Sequence, residues 1–451
     1  MADTKISDLT TASALDGTEL LLLSQGAADR KVDLDTFRED LDWVRPSDWP
    51  AMPSTAANTI HILAAVFDHG TNRVAIRMST SSGTWSVDWG DGTSTTGVAS
   101  NANAERTYDF ADGDLPAATS RGYKVAVITI TADSGNFTVF NPSISHSGGN
   151  TGTPPWLEMQ VNGSSLTTLT LATTNVPKML EHINFVAVGS VTAMSFSGMD
   201  RLRTLKLPSN FFSNMSGTGL FNCFSSCHSL VRIDLSSIPA SGLTNTSQMF
   251  QECSSLKEVN LPAGMFPAGN TNTSSMFRNC RTLQRVSIPS GALAGVTNSS
   301  NMFTDCYSLR EVTFPSGALA AVTNPSAMFA NCRSLQSVAI PSGAFASATA
   351  IDTMFTGCAS LQRIDFPTGM LGSLSTLTNV FATCGSLAKI VNCIIKLTFT
   401  LAACRLGAAE LDEVYTALPT VTSQTITVTG NPGTTGDDPT IATAKGWTVT
   451  G

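Results

Sequence analysis

From residue 249 to residue 387 the chain returns again and again to one pattern of apolar and polar positions: Met-Phe-x-x-Cys-x-Ser-Leu, a short strand, Pro-x-Gly, a polar run, then Met-Phe again. Cysteines mark the period at Cys227, Cys253, Cys280, Cys306, Cys332, Cys358 and Cys384, a spacing of 26 residues with a single 27. A fixed period of this length predicts a stacked-repeat solenoid. The strand pattern is Leu-x-x-Val-x-Leu, as in Leu256, Val259, Leu261 and in Leu309, Val312, Phe314. Its last two apolar positions alternate with polar ones, as a half-buried strand requires. Pro262, Pro289, Pro315, Pro341 and Pro367 then stop the ladder, and a glycine two residues on suits the fourth position of a type I turn. Ser247, Ser274, Ser300, Ser326, Asp352 and Thr378 stand two residues before each Met or its equivalent, where they predict the N-cap of a short helix. In that helix Phe and Cys, three apart, share a face. No coil can bury its apolar row alone. The expected core is therefore a column of Phe250, Phe277, Phe303, Phe329 and Phe355 beside Cys253, Cys280, Cys306, Cys332 and Cys358, with strands ~4.8 Å apart.

The pattern changes on either side. Residues 1–42 hold one short apolar strand, Leu20, Leu21, Leu22 and Leu23, between turns at Asp16-Gly17 and Gly26-Ala27, with a second strand or helix start over Val32 to Phe37. Such a segment is too small to bury its own leucines, so it is expected to pack on a partner or on copies of itself. Residues 43–58, with Trp43, Pro46, Trp49, Pro50 and Pro53, read as a linker. Residues 59–152 turn to short strands, at 60–67, 73–78, 84–89 and 123–132, the last carrying Val125, Val127 and Ile130. Weak leading coils follow within 153–404, at Leu166, Leu169, Leu171 and at Leu202, Leu205, Leu207. Over 405–451 a helix (Leu411, Val414, Leu418), a strand at 425–428, a short helix near 439–445 and a final strand at 447–449 are expected to close the stack. The fold class is mainly β: a small β-sandwich, then a solenoid of about 26-residue coils with a helix-and-strand C-terminal cap.

Charged residues make up 13% of the chain, about half the average globular share, and the net charge is −8. No Lys/Arg-rich run appears, which argues against nucleic-acid binding. No run of ~18 apolar residues predicts a membrane span, and the first residues hold no apolar signal core, so the product is expected to remain in a cytoplasm. All ten cysteines fall at or after Cys223. One per coil reads as a ladder of small buried apolar groups with free thiols, not as a disulfide framework or a zinc site.

The repeat resembles the BspA-like leucine-rich repeats, over about residues 200–400. That resemblance implies a binding scaffold and not a catalyst. Trp85-Ser-Val-Asp-Trp-Gly-Asp-Gly92, Glu105-Arg-Thr-Tyr108 and Gly122-Tyr-Lys-Val125 are similar to the polycystic-kidney-disease-type (PKD) immunoglobulin-like sandwich, a spacer module. Ile-Ser-Asp-Leu, Leu-Asp-Gly-Thr-Glu-Leu and the following Lys-Val-x-Leu resemble the N-terminal attachment segment of bacteriophage tail fibres. Together these imply a structural virion protein assembled in the host bacterial cytoplasm. It would join other virion proteins through its N-terminus, form a homotrimer and bind a host cell-surface glycan or protein. A head fibre or capsid-decorating protein would use the same modules, and a secreted BspA-like adhesin would need an export signal.

Catalytic chemistry finds no support. None of the five histidines stands in a His-Glu-x-x-His motif, and there is no Gly-x-Ser-x-Gly elbow and no Gly-Lys pair for a phosphate loop. No cofactor or metal is expected. Asp109, Asp112 and Asp114 lack the ligand order of an EF-hand loop and read as a solvated turn. The exposed strand column Arg232, Glu258, Arg285, Glu311, Ser337, Arg363, Lys389 alternates in sign over four coils, which predicts charge ladders. The expected contact surface comprises Arg285, Glu311 and Arg363 with Asn298 and Asn301 of the 296–301 turn. No aromatic sugar platform is apparent beside the strand carboxylates.

Overall fold

The computed structural model describes residues 20–25, 28–33 and 43–451, apart from 70–71, 149–152, 172–174, 190, 192–193, 210, 212–219, 236–242, 263–264, 268 and 368–369. The chain divides into two compact units, residues 1–49 and 50–451. In the first unit β1 (Leu20–Gln25) pairs antiparallel with β2 (Ala28–Asp33), Leu21 opposite Val32 and Leu23 opposite Arg30. The expected strand at Leu20 to Leu23 is thus present, and the second strand starts earlier than the expected Val32. The Ile-Ser-Asp-Leu stretch and the Asp16-Gly17 turn lie outside the described residues.

The second unit opens with β3 (Thr59–Val66), β4 (Asn72–Thr80), β5 (Thr84–Asp88), β6 (Ser94–Ala99), β7 (Asn103–Tyr108), β8 (Lys124–Ala132) and β9 (Phe137–Asn141). Next come β10 (Trp156–Gly163), β11 (Thr168–Leu169), β12 (His182–Val188) and β13 (Thr204–Lys206). Two sheets result, ordered β13-β12-β10-β3-β8-β5-β6 and β11-β9-β4-β7. The larger one is antiparallel through the sandwich and becomes parallel from β10 to β13. β10 is the hinge of that change, so the sandwich and the first coils share one sheet.

Two sequence expectations are corrected here. On β8 the core-facing residues are Ala126, Ile128 and Ile130, with Val125 and Val127 on the opposite face. Every residue of β3 is buried, so both faces of this sheet are covered and alternation could not reveal the phase. Thr55 of the linker helps cover the outer face, donating its hydroxyl to Gln160 Oε1 at 2.7 Å and accepting a bond from Asn162. The first leading coil, second, is not where Leu169 was expected to place it: Leu169 sits on β11, which pairs with β9 in the other sheet, and the stack starts instead on β10 and β12. The next expected coil is present, with Leu205 on β13 in parallel register with Ile183 of β12.

The motif residues of the sandwich interlock. Tyr108 donates its hydroxyl to the carbonyl of Trp89 at 2.8 Å, and buried Asp91 accepts from Arg106 Nε at 2.7 Å. Gly90 holds φ +73, and a Cβ there would lie 2.5 Å from the carbonyl oxygen of Val127, so only glycine fits. Asp109 and Asp112 accept the amides of Ala111 and Asp114, so both carboxylates close their own turns.

Beyond β13 the coils stack as parallel three-residue strands: β14 (Arg232–Asp234) on β15 (Glu258–Asn260), β16 (Arg285–Ser287) on β17 (Glu311–Thr313), and β18 (Arg363–Asp365) on β19 (Lys389–Val391). Each buries its central residue, such as Val259, Val286 or Val312. The fold ends with β20 (Phe399–Thr400), α1 (Ala408–Ala417), β21 (Gln424–Thr427), α2 (Thr440–Thr443) and β22 (Trp447–Thr450), the strands again parallel in the order β20-β21-β22. A helix-and-strand cap therefore continues the stack.

The Met-Phe segments are not helices. Each is a run of tight turns in which amides alternate between their own coil and the next. Met249 N donates to Thr246 O and Gln251 N to Gln248 O, while Gln248 N, Phe250 N and Glu252 N donate to Ser274 O, Met276 O and Arg278 O. That alternation needs left-handed residues four apart, seen at Gln248 and Glu252, Ser275 and Asn279, Asn301 and Asp305, and Ala327 and Asn331. Nor do Ser247, Ser274, Ser300 and Ser326 cap anything with their side chains. Their own amides donate to Asn245, Asn272, Asn298 and Asn324 Oδ1, forming Asx-turns. Those four asparagines are themselves stacked by parallel bridges. The proline turn also differs from expectation: Ala292 N donates to Pro289 O, and Gly291 holds φ +75 at the third position, as a type II turn requires.

The expected core column is present and extends further. Phe196, Phe224, Phe250, Phe277, Phe303, Phe329, Phe355 and Phe381 form one stack, with the centroids of neighbouring rings 5.1 to 6.1 Å apart and planes within 9° of parallel. All ten cysteines are free and buried. They are more than small apolar fillers, because the thiol of each coil donates to the phenylalanine carbonyl of the preceding coil: Cys253 to Phe224, Cys280 to Phe250, Cys306 to Phe277, Cys332 to Phe303 and Cys358 to Phe329, at 3.0 to 3.2 Å. Cysteine suits the site because it combines small size with a weak donor.

Candidate binding face of the solenoid

The strands place one polar column on the outside at each coil. Arg232 stands opposite Glu258 and bonds it at 2.7 Å, and Arg285 stands opposite Glu311 with a closest approach of 3.8 Å. Arg285 and Glu311 are mostly exposed, at 80% and 64% of their side-chain surface, so this pair contributes at most a few tenths of a kcal/mol, about the lower range for exposed pairs. Further along the stack like charges meet: Arg363 is the register neighbour of Lys389. Each turns to a carboxylate instead, Arg363 to Asp365 at 2.8 Å within its own strand and Lys389 to Glu413 on α1. The hydrogen bond that Arg363 donates to Asp365, together with the charge of that carboxylate, raises the Arg363 pKa. Lys389 and Glu413 bring the strand edge and α1 together, and Asn392, Asp412 and Glu413 line an open groove there.

Asn298 and Asn301 are half-buried and serve the turn itself. Asn298 Oδ1 accepts the Ser300 amide at 3.1 Å, and Asn301 Oδ1 accepts the Thr304 hydroxyl at 3.3 Å. The structure thus brings Arg285 and Glu311 together, places Arg363 two coils further on from Glu311, and sets Asn298 in the asparagine ladder with Asn301 in the turn that follows it.

Sequence reading missed Tyr307. It follows the column cysteine of its coil, as Arg281 and Arg333 do in the coils on either side. Both guanidiniums lie against its ring, the Arg281 carbon 5.7 Å and the Arg333 carbon 4.5 Å from the centroid. The available signal was the 26-residue spacing of Arg281, Tyr307 and Arg333, which places all three in one column.

Among the described residues, no group of three or more His, Cys, Asp or Glu side chains is arranged to hold a metal ion. Burial pushes the thiols up, to about 12 for Cys223, Cys384, Cys393 and Cys404 and higher for Cys253 and Cys306, so they are protonated at neutral pH and unsuited to nucleophilic work.

Residues 175–294 and 274–399 match the family described as BspA type leucine rich repeat region, in six copies. Among solved structures, the chain is similar to a leucine-rich repeat protein from Bacteroides ovatus ATCC 8483, at 14% identity and a TM-score of 0.32, over 63% of this chain and 82% of that one. It is also similar to a leucine rich cell surface protein from Faecalibacterium prausnitzii A2-165, at 17% identity and a TM-score of 0.22, over 63% of this chain and 86% of that one. No curated protein matches the chain.

Proposed function

Residues 175–399 being BspA-type leucine-rich repeats, we propose that the protein is a non-catalytic adhesion module whose solenoid presents its outer face to a cell-surface glycan or protein. The observation that carries this reading is the in-register stack. Fixed backbone ladders and a continuous ring column hold the exposed positions of successive coils at constant spacing, while those positions vary freely in residue type. Carriage on a bacteriophage tail fibre is the finer reading, supported by the resemblance of the N-terminal segment and by a PKD-like spacer at 59–152. In it Leu20 to Leu23 mediate assembly with virion proteins and a homotrimer. A head fibre or capsid-decorating protein would use the same parts. The repeat family equally favours a secreted bacterial adhesin, in which the same solenoid binds and the N-terminal segment attaches it to its own cell.

The test removes each function separately. Deleting residues 1–40 should leave binding to target cells intact and abolish incorporation into particles. Exchanging Arg285 and Glu311 together with the 296–301 turn should reduce cell attachment at least several-fold and leave incorporation unchanged. Particles that incorporate the truncated protein but not the face variant would reverse this polarity. Labelling found only on bacterial envelopes would select the secreted adhesin.

A further inference from the structure

We propose that the Arg281–Tyr307–Arg333 stack recognises an anionic polysaccharide through repeated carboxylate or sulfate groups. This rests on the adhesion reading and assigns that face a ligand class. The two arginines occupy the same position in coils flanking that of Tyr307, so their guanidiniums are about 10 Å apart, two inter-strand steps, on either side of one half-buried ring. Stacking on the ring restrains both side chains before any ligand arrives, which lowers the ordering cost of binding. Each planar fork keeps its edge for a carboxylate or sulfate, which it can meet with two parallel hydrogen bonds.

The surrounding charges favour an anion. Arg281 and Arg333 are exposed, and among the described residues neither forms an ion pair with a carboxylate. The carboxylate of Asp305, two residues before Tyr307, is engaged elsewhere: its Oδ1 accepts from Asn331 Nδ2 at 2.9 Å. Two guanidiniums without an ion-pair partner among the described residues thus flank one ring on a chain of net charge −8, a local cationic site in an acidic protein. The global field repels polyanions at large, so only a ligand whose charges match this spacing gains from it. Alternate sugars of an extended acidic glycan carry charge at such intervals, whereas a nucleic acid presents a denser phosphate row to a much wider basic surface.

The full chain would be measured against polygalacturonate, dextran sulfate, neutral dextran and a single-stranded oligonucleotide by calorimetry at low and physiological salt. Binding to at least one of the acidic polysaccharides and none to neutral dextran is expected. Arg281→Gln with Arg333→Gln should weaken it at least tenfold with unchanged melting, and Arg281→Lys with Arg333→Lys should restore only part of it. Equal affinity of the glutamine variant, no binding to either acidic polysaccharide, or oligonucleotide binding as tight as the glycan's would overturn the proposal. Cell attachment separates the two readings. If the glutamine variant attaches to cells as the parent does, adhesion stands and this site falls; if the parent binds acidic glycan but no cells, the site stands and the adhesion reading falls.

Discussion

Phe303→Ala is expected to lower the unfolding free energy by about 3 to 5 kcal/mol, the range for a fully buried aromatic. The ring is completely buried, 5.5 Å from Phe277 on one side and 5.5 Å from Phe329 on the other. Collapse into the void is resisted because the backbones above and below are fixed: Phe277 N donates to Met302 O and Phe303 N to Met328 O, both at 2.9 Å. A cavity therefore remains, and two nearest-neighbour interfaces weaken together. Urea unfolding followed by tryptophan fluorescence and far-UV circular dichroism should show the coils lost before the tryptophan-bearing sandwich. A variant that melts like the parent would remove the ring column from the account.

Asp91→Ala is expected to cost about 3 kcal/mol, the low end for breaking a buried ion pair. The carboxylate is inaccessible, whereas the Arg106 side chain keeps 29% of its surface in solvent and can recover some hydration. The loss is more than the pair, because Asp91 Oδ1 also accepts from the amide of Thr93 at 3.1 Å and its hydroxyl at 2.6 Å. Those bonds shape the turn that brings Trp89 beneath the Tyr108 hydroxyl. Desolvation and the Asp91 charge both push the Tyr108 pKa up, so removing Asp91 should also ease its ionisation in an alkaline spectrophotometric titration. Asp91→Asn, which keeps an acceptor for Thr93, should cost less than the alanine change. Equal stability of Asp91→Ala and parent would show that the motif carboxylate does not hold the turn.

The repeat architecture was legible because its signal is redundant. Period, ring column and cysteine column recur in each coil and point to one solution. Local conformation inside the coil was not legible. Ser, Thr, Asn and Asp mark helix N-caps and Asx-turns alike, and the distinction rests on left-handed residues such as Gln248, Glu252 and Ala327 whose identities do not announce that conformation. The phase of β8 stayed hidden because Val125 is buried on the far face of the sheet. Among the surface residues, the Arg285–Glu311 pairing followed from the period alone. The Arg281–Tyr307–Arg333 stack needed the ring's position between coils, and the thiol donors needed carbonyls 29 or 30 residues earlier in the chain.

The stacked coils that make a rigid face possible can be tested thiol by thiol, since cysteines report on every coil from Cys227 to Cys384. Alkylation with iodoacetamide, read by mass spectrometry, should leave Cys253, Cys280, Cys306, Cys332 and Cys358 unmodified in the native protein over hours at pH 8. All ten should be modified in denaturant without reductant. Rapid native labelling of the column cysteines, or their recovery as disulfides from freshly made protein, would contradict the stacked core on which the binding face depends.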